Sequence, residues 1–110
     1  MMRKLWLLVM FIMPNIQNIQ NRCENQDAKS CFDLGILYVN GQKFLKAKEY
    51  WEKSCELNYG AACFNLGLLY EIGYRVRQNY SKAKQLFGKA CDLGLQTGCK
   101  NYAILNKQGY

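Results

Sequence analysis

The chain has 110 residues, room for one small domain and not for an enzyme with a separate substrate domain. Half of its residues are hydrophobic and 21% are charged, which excludes a chain disordered by composition. It has no histidine, which excludes histidine triads, imidazole acid–base chemistry and His-Cys zinc sites, and 15 lysines and arginines against 8 acids give a net charge of +7.

Arg3 and Lys4 lie at the start, and nine unbroken apolar residues follow from Leu5 to Met13, ended by Pro14. A basic opening and a short apolar run form the pattern of a secretory signal. The run is far shorter than the roughly 20 residues of a membrane-spanning helix. Residues 1–20 are therefore expected to be a leader, with membrane contact only if that leader stays uncleaved. No Ala-x-Ala cleavage pattern follows it. Removal near residue 20 takes away Arg3 and Lys4 and leaves about 90 residues with a charge of +5. A chain of that size buries a modest core and needs disulfides, a metal or a partner.

Helical periodicity starts near Asp27. A first helix is expected from Asp27 to Tyr38, with Cys31, Leu34, Leu37 and Tyr38 on its apolar face and Gly41 as its stop. A second is expected from Phe44 to Leu57, its buried stripe formed by Ala47, Tyr50, Trp51, Ser54 and Cys55. The pattern recurs from Ala61 to Tyr70 and from Tyr80 to Leu93, and a fifth helix runs from Thr97 to about Leu105. Residues 106–110 read as a turn.

The six cysteines, at 23, 31, 55, 63, 91 and 99, form three pairs spaced by eight, offset by 32 and then 36 residues. The sequence around them repeats with them. Cys31-Phe32-Asp33-Leu34-Gly35 returns as Cys63-Phe64-Asn65-Leu66-Gly67, Lys46-Ala47-Lys48 returns as Lys82-Ala83-Lys84, and Trp51 matches Phe87. The four extra residues of the second unit fall between Gly73 and Tyr80. Offsets in this range announce an all-α solenoid of antiparallel helix hairpins. Its units are about 27–58, 59–94 and a partial 95–110, within a repeat domain of residues 23–110.

In each pair, one cysteine lies in the last turn of a helix and its partner about one turn into the next. Such a turn can bring the two Cα atoms within the range a disulfide needs. The expected bonds are Cys23–Cys31, Cys55–Cys63 and Cys91–Cys99; six buried free thiols are the alternative. A zinc site is disfavoured, because close ligands are separated by two to four residues and here by seven. No metal and no cofactor is expected. Gly35 and Gly67 stand inside helices at one equivalent position, where close helix packing would exclude a side chain; position 103 carries alanine.

This organisation resembles the Sel1-like repeats, relatives of the tetratricopeptide repeats. The motif appears as Leu34-Gly35-Ile36-Leu37-Tyr38 with Lys46-Ala47 and Lys53-Ser54-Cys55, and again as Leu66-Gly67-Leu68-Leu69-Tyr70 with Lys82-Ala83 and Lys89-Ala90-Cys91. The eight-spaced cysteines are similar to those of the Helicobacter cysteine-rich protein family. That resemblance implies a secreted or periplasmic protein, and either an interaction module or a weak beta-lactamase that binds penicillin. The family's helix-connecting loop has glycine where this chain has Arg75 and aspartate where it has Asn79.

Asp33, Asn65 and Asn101 each lie two residues after a first-helix cysteine. By the tetratricopeptide resemblance, asparagines there hydrogen-bond the backbone of an extended peptide, for which an amide offers both donor and acceptor. The expected ligand site is therefore Asn65 and Asn101, with Tyr70 contacting ligand side chains and Lys100 favouring an acidic ligand. Asp33 breaks the row. The ligand would be a peptide, a protein or a peptidoglycan-type structure. Arg75, Arg77, Lys82, Lys84 and Lys89 fall in fifteen residues without an acid, a field that can attract an acidic partner; nucleic acid is not expected for an exported chain. For hydrolysis, Ser81 and Lys84 match a Ser-x-x-Lys pattern but lack its companion motifs. Ser81 is expected to cap a helix, and no catalytic residue is assigned.

Overall fold

The computed structural model describes residues 16–73 and 75–110. The basic and apolar segments of the expected leader lie outside them. Six helices and no strand occur among the described residues. Helix α1 covers residues 16–24, α2 Ala28–Asn40, α3 Phe44–Glu56, α4 Gly60–Ile72, α5 Tyr80–Asp92 and α6 Gln96–Lys107. Each of α2 to α5 packs against the helix that follows it, as a solenoid requires.

Helix α1 precedes the first helix expected from the sequence. The offset of 32 that carries Cys23 onto Cys55 places α1 in register with α3, so it is a second-type helix. Ile19 packs against a small core of Cys23, Cys31 and Leu34, and the Gln20 side chain reaches the Tyr38 hydroxyl at 3.5 Å.

The three cysteine turns share one backbone construction. Gln26, Asn58 and Gly94 occupy the same repeat position, and all three are left-handed, with φ of 70°, 67° and 95°. After each, an amide reaches back across the helix end: Asp27 to Arg22 O, Tyr59 to Ser54 O and Leu95 to Ala90 O, at 2.9 to 3.1 Å. This is a Schellman ending, which satisfies the last carbonyls and reverses the chain. The reversal sets the Cα atoms of Cys23–Cys31, Cys55–Cys63 and Cys91–Cys99 4.7, 4.7 and 4.6 Å apart, and all three pairs are disulfides. The free-thiol alternative is thereby excluded.

The main core is built from Trp51, Cys55, Ala62, Cys63, Leu66, Tyr70, Ala83, Phe87, Ala90 and Leu105. The Trp51 indole N–H donates to Phe32 O at 3.2 Å, and the fully buried Ser54 hydroxyl donates to Ala28 O at 2.7 Å. Both bonds join α3 to α2 without leaving a buried polar atom unsatisfied. Leu37, expected on the buried face, is 45% exposed. The cause is angular: Cys31 and Leu34 face α1 and α3, and Leu37 lies off that stripe.

Helix α2 starts on Asp27, whose carboxylate accepts from the Ser30 hydroxyl at 2.9 Å; that bond holds the Asp27 carboxyl below its ordinary value. The stop expected at Gly41 is present as a cap, but Gly41 has a φ of −85°, and the left-handed turn falls on Gln42. The longer connection between α4 and α5 differs again. Gly73 is left-handed at 73°, and so is Arg75 at 61°, a basic residue in a conformation suited to glycine. Asn79, rather than Ser81, caps α5 by accepting from the Lys82 amide at 3.0 Å. Ser81 is the second residue of that helix and is exposed. The capping expectation for Ser81 is therefore corrected: the longer loop delivers Asn79 with extended backbone to the cap, and asparagine does there what aspartate would do.

Candidate functional site

Residues spaced three, four and seven apart share one face of a helix. On α4 this places Asn65 with Leu68 and Ile72. On α6 it places Asn101 with Ile104 and Leu105, and Gln108 follows as the helix cap. The repeat offsets align the two sets, and they extend to Asp33 and Ile36 on α2. The first-helix face therefore carries a polar row, Asp33–Asn65–Asn101, beside an apolar row, Ile36–Leu68–Ile104.

At its C-terminal end this face deepens into a groove of about 470 Å³. Glu71 and Ile72 from α4, Tyr80 from α5 and Asn101, Ile104 and Leu105 from α6 line it, together with Gln108 and Tyr110 beyond. Ile72 is 65% exposed and Ile104 55%. Apolar side chains this open beside amide and carboxylate groups suit a mixed ligand such as a polypeptide.

Of the residues expected at the site, Asn101 lines the groove, while Asn65, Tyr70 and Lys100 do not. Asn65 and Asn101 are half-buried, and neither amide bonds to another described residue. Lys100 is exposed on α6, immediately before Asn101. Tyr70 is only 7% exposed and belongs to the core. Its ring carries the ammonium groups of Lys82 at 4.9 Å and Lys48 at 5.7 Å. Burial works against the Lys48 charge; the Tyr70 hydroxyl and the Glu52 carboxylate, 3.6 Å away, outweigh it and hold the ammonium above its ordinary value. The same pairing occurs one unit earlier, where Lys46 stands 5.9 Å from the Tyr38 ring. The repeated Lys-Ala lysine thus serves the repeated tyrosine of the first helix.

The basic segment is divided rather than continuous. Lys84 lies 5.5 Å from the Tyr102 ring and also donates to Tyr110 O, whereas Lys82, over the Tyr70 ring, and Lys89 line a different hollow with Glu52, Glu56 and Leu86. The Ser81 hydroxyl bonds to no described residue, so no base is in contact with it as nucleophilic catalysis requires.

The sequence reading missed Ile72, Ile104 and Tyr80 as site residues. The signal for Ile104 was present, since it aligns with Leu68 by the same offset that aligns Cys99 with Cys63. For Tyr80 there was none, because only the path of the longer loop brings it to the groove.

A family model described as Sel1 repeat matches residues 28–59 and 60–95, more than half of the chain. The fold is similar to the crystal structure of a Sel1 repeat protein from Oxalobacter formigenes. That likeness has a TM-score of 0.79 and 18% identity, over 86% of this chain and 74% of the other. It is also similar to a protective antigen present in uropathogenic Escherichia coli strains, which displays an SLR fold. There the TM-score is 0.77 and the identity 22%, over 86% of this chain but only 21% of the antigen's length. No curated protein matches the chain by sequence. On the strength of its two matched repeats, the chain belongs to the Sel1 repeat family.

Proposed function

We propose that this chain is an exported, disulfide-stapled binding module that takes a peptide, or a peptide segment of a larger partner, across the first-helix face of α4 and α6. The observation that carries the reading is the alignment of two unengaged amides, Asn65 and Asn101, beside the apolar row that ends in the groove around Ile104. Sel1 repeats generally mediate protein–protein interactions, which supports a protein partner. Asn65 and Asn101 read the ligand backbone, Ile72 and Ile104 contact its side chains, and Lys100 draws acidic groups. Tyr70 contributes by holding Lys48 and Lys82 at the edge of the face. A peptide-bearing cell-wall fragment offers the same backbone chemistry and is the non-protein ligand to compare.

Three disulfides call for an oxidising compartment. No helix among the described residues is long and apolar enough to cross a membrane. With the basic and apolar opening of the sequence, this supports a secreted or periplasmic location and a leader within residues 1–20 that ends before α1, whose Ile19 and Gln20 contact the first unit. The eight-spaced cysteines support the narrower kinship with the Helicobacter cysteine-rich proteins. Beta-lactam hydrolysis finds no supporting arrangement around Ser81.

The test is a peptide array and a set of soluble muropeptides probed with the oxidised chain, followed by titration of the best binder against an Asn65→Ala, Asn101→Ala variant. Each lost hydrogen bond costs about 1–3 kcal/mol, or roughly 5- to 150-fold in affinity. Unchanged affinity in the double variant would overturn the assignment.

A further inference from the structure

Tyr110 makes part of one wall of the groove at the end of the first-helix face, where it covers Tyr80. Gly109 is left-handed at 93°, and the turn it makes directs the Tyr110 amide onto Leu105 O at 3.1 Å. The Tyr110 ring then stacks on the Tyr80 ring, with centroids 4.6 Å apart and planes at 30°. The Lys84 ammonium donates to the α-carboxylate of Tyr110 while standing over the Tyr102 ring. Tyr80 is itself braced: the Gln78 amide donates to its hydroxyl at 2.9 Å and to Glu71 O at 2.8 Å. The platform is thus built from α5 and the loop before it, and Tyr110 comes to it from the other side.

The contrast between the two tyrosines matters. Tyr80 is half-buried and fixed by a hydrogen bond, whereas Tyr110 is 45% exposed and held by one ring face and by its backbone. An aromatic face, a cation placed for an α-carboxylate and a mouth open to solvent recognise one chemical unit: an aromatic residue at a peptide's C-terminus, ring and carboxylate together. Tyr110 presents that unit from within the chain.

We propose that Tyr80, Lys84 and Gln78 form a subsite for a C-terminal aromatic residue of the peptide partner, and that Tyr110 is its internal occupant, displaced when the partner binds. The proposal deepens the peptide-binding reading above and rests on it. It assigns the aromatic residue of the ligand to the α5 side of the groove, next to Ile72 and Ile104. It also makes Tyr110 a competitor, since a tethered group acts at an effective concentration in the millimolar range and lowers apparent affinity by the fraction of sites it fills.

The test uses the oxidised full chain, labelled with nitrogen-15, and an acetylated peptide with the sequence of residues 106–110 and a free C-terminal carboxylate. In a Tyr110→Ala variant the peptide should shift the amide signals of Gln78, Tyr80 and Lys84 saturably at millimolar concentration. The wild-type chain should need roughly fivefold more peptide or greater for the same shift. Replacing the peptide's tyrosine with alanine should abolish the effect, and adding Lys84→Met to the Tyr110→Ala variant should weaken binding by a similar factor. Equal affinity of wild type and Tyr110→Ala, equal binding of the alanine peptide, or no binding to either chain overturns the subsite. An array peptide that loses affinity in the Asn65, Asn101 double variant yet is indifferent to Tyr110→Ala overturns the subsite and leaves the binding face standing.

Discussion

Gly35 and Trp51 stand so close that a methyl group on Gly35 would lie 2.7 Å from Trp51 Cε2 and nearer still to Nε1. The equivalent pair one unit on, Gly67 and Phe87, has the same relationship, with the added carbon 2.7 Å from Phe87 Cε1. The aromatic ring of each second helix lies flat on the missing side chain of the first. Trp51 can then reach Phe32 O, and Phe87 can pack with Phe64 at 5.5 Å between centroids.

Gly35→Ala and Gly67→Ala should therefore destabilise the chain, although alanine is the better helix former by about 1 kcal/mol. Displacing a buried ring in a packed core costs typically 1–3 kcal/mol, and the Trp51 and Phe87 rings are both buried. Position 103 in α6 is the control. Ala103 is exposed, so Ala103→Gly should lose only about 1 kcal/mol of helix propensity. Thermal unfolding of the three variants checks the contrast; a stabilised Gly67→Ala would refute the packing argument.

The cysteine turns give a ranked prediction. Gln26, Asn58 and Gly94 hold the same left-handed position with three different residues. Left-handed backbone costs an ordinary residue roughly 1–2 kcal/mol, asparagine less and glycine nothing. Part of that gain is returned by the entropy of an unfolded glycine. Gln26→Gly should therefore raise the melting temperature, Asn58→Gly should change it little, and Gly94→Ala should lower it. Reversal of the first and third would mean that the turns are not held by this geometry.

The repeat made most of this architecture legible. Cysteine spacing located the turns, and the offsets located α2 to α6 to within a few residues. Helix α1 was not legible in the same way, because residues 16–24 are rich in asparagine and glutamine and their apolar stripe is reduced to Ile16, Ile19 and Cys23. The cap of α5 was misplaced because capping depends on which residue the loop leaves extended, and that was Asn79 rather than Ser81. At the site, the asparagine row could be read from register alone. The burial of Tyr70 followed from the same register, since Tyr38 marks the apolar face one unit earlier, but the two lysines of neighbouring helices that stand over its ring did not.

The disulfides should be individually worth about 2.5 kcal/mol, the chain-entropy value for so short a loop. A Cys55→Ala, Cys63→Ala variant removes the bond between the two complete hairpins, where α3 meets α4. It should lower the stability measured in denaturant by that order and leave the slope of the transition close to that of the oxidised chain. Digestion of the unreduced protein should return Cys23 with Cys31, Cys55 with Cys63 and Cys91 with Cys99. A fragment joining cysteines of different turns would contradict the framework.

The apolar row separates binding from stability. Leu68 and Ile104 occupy equivalent positions, but Leu68 packs against the core, whereas Ile104 is 55% exposed at the groove. Truncating Leu68 removes core contacts whether or not a ligand is present. Truncating Ile104 removes little from the free chain, because its surface is already in water. A ligand seated in the groove would cover that surface. Fully burying an isoleucine is worth about 1.5–3 kcal/mol, and covering roughly half of one is worth about 1 kcal/mol, or fivefold in affinity. Ile104→Ala should thus weaken the best array peptide about fivefold with an unchanged melting temperature, while Leu68→Ala should lower the melting temperature by several degrees. Should Ile104→Ala leave peptide affinity intact, the ligand does not enter the groove between α4 and α6, and the hollow around Lys89, Glu52 and Glu56 becomes the surface to test.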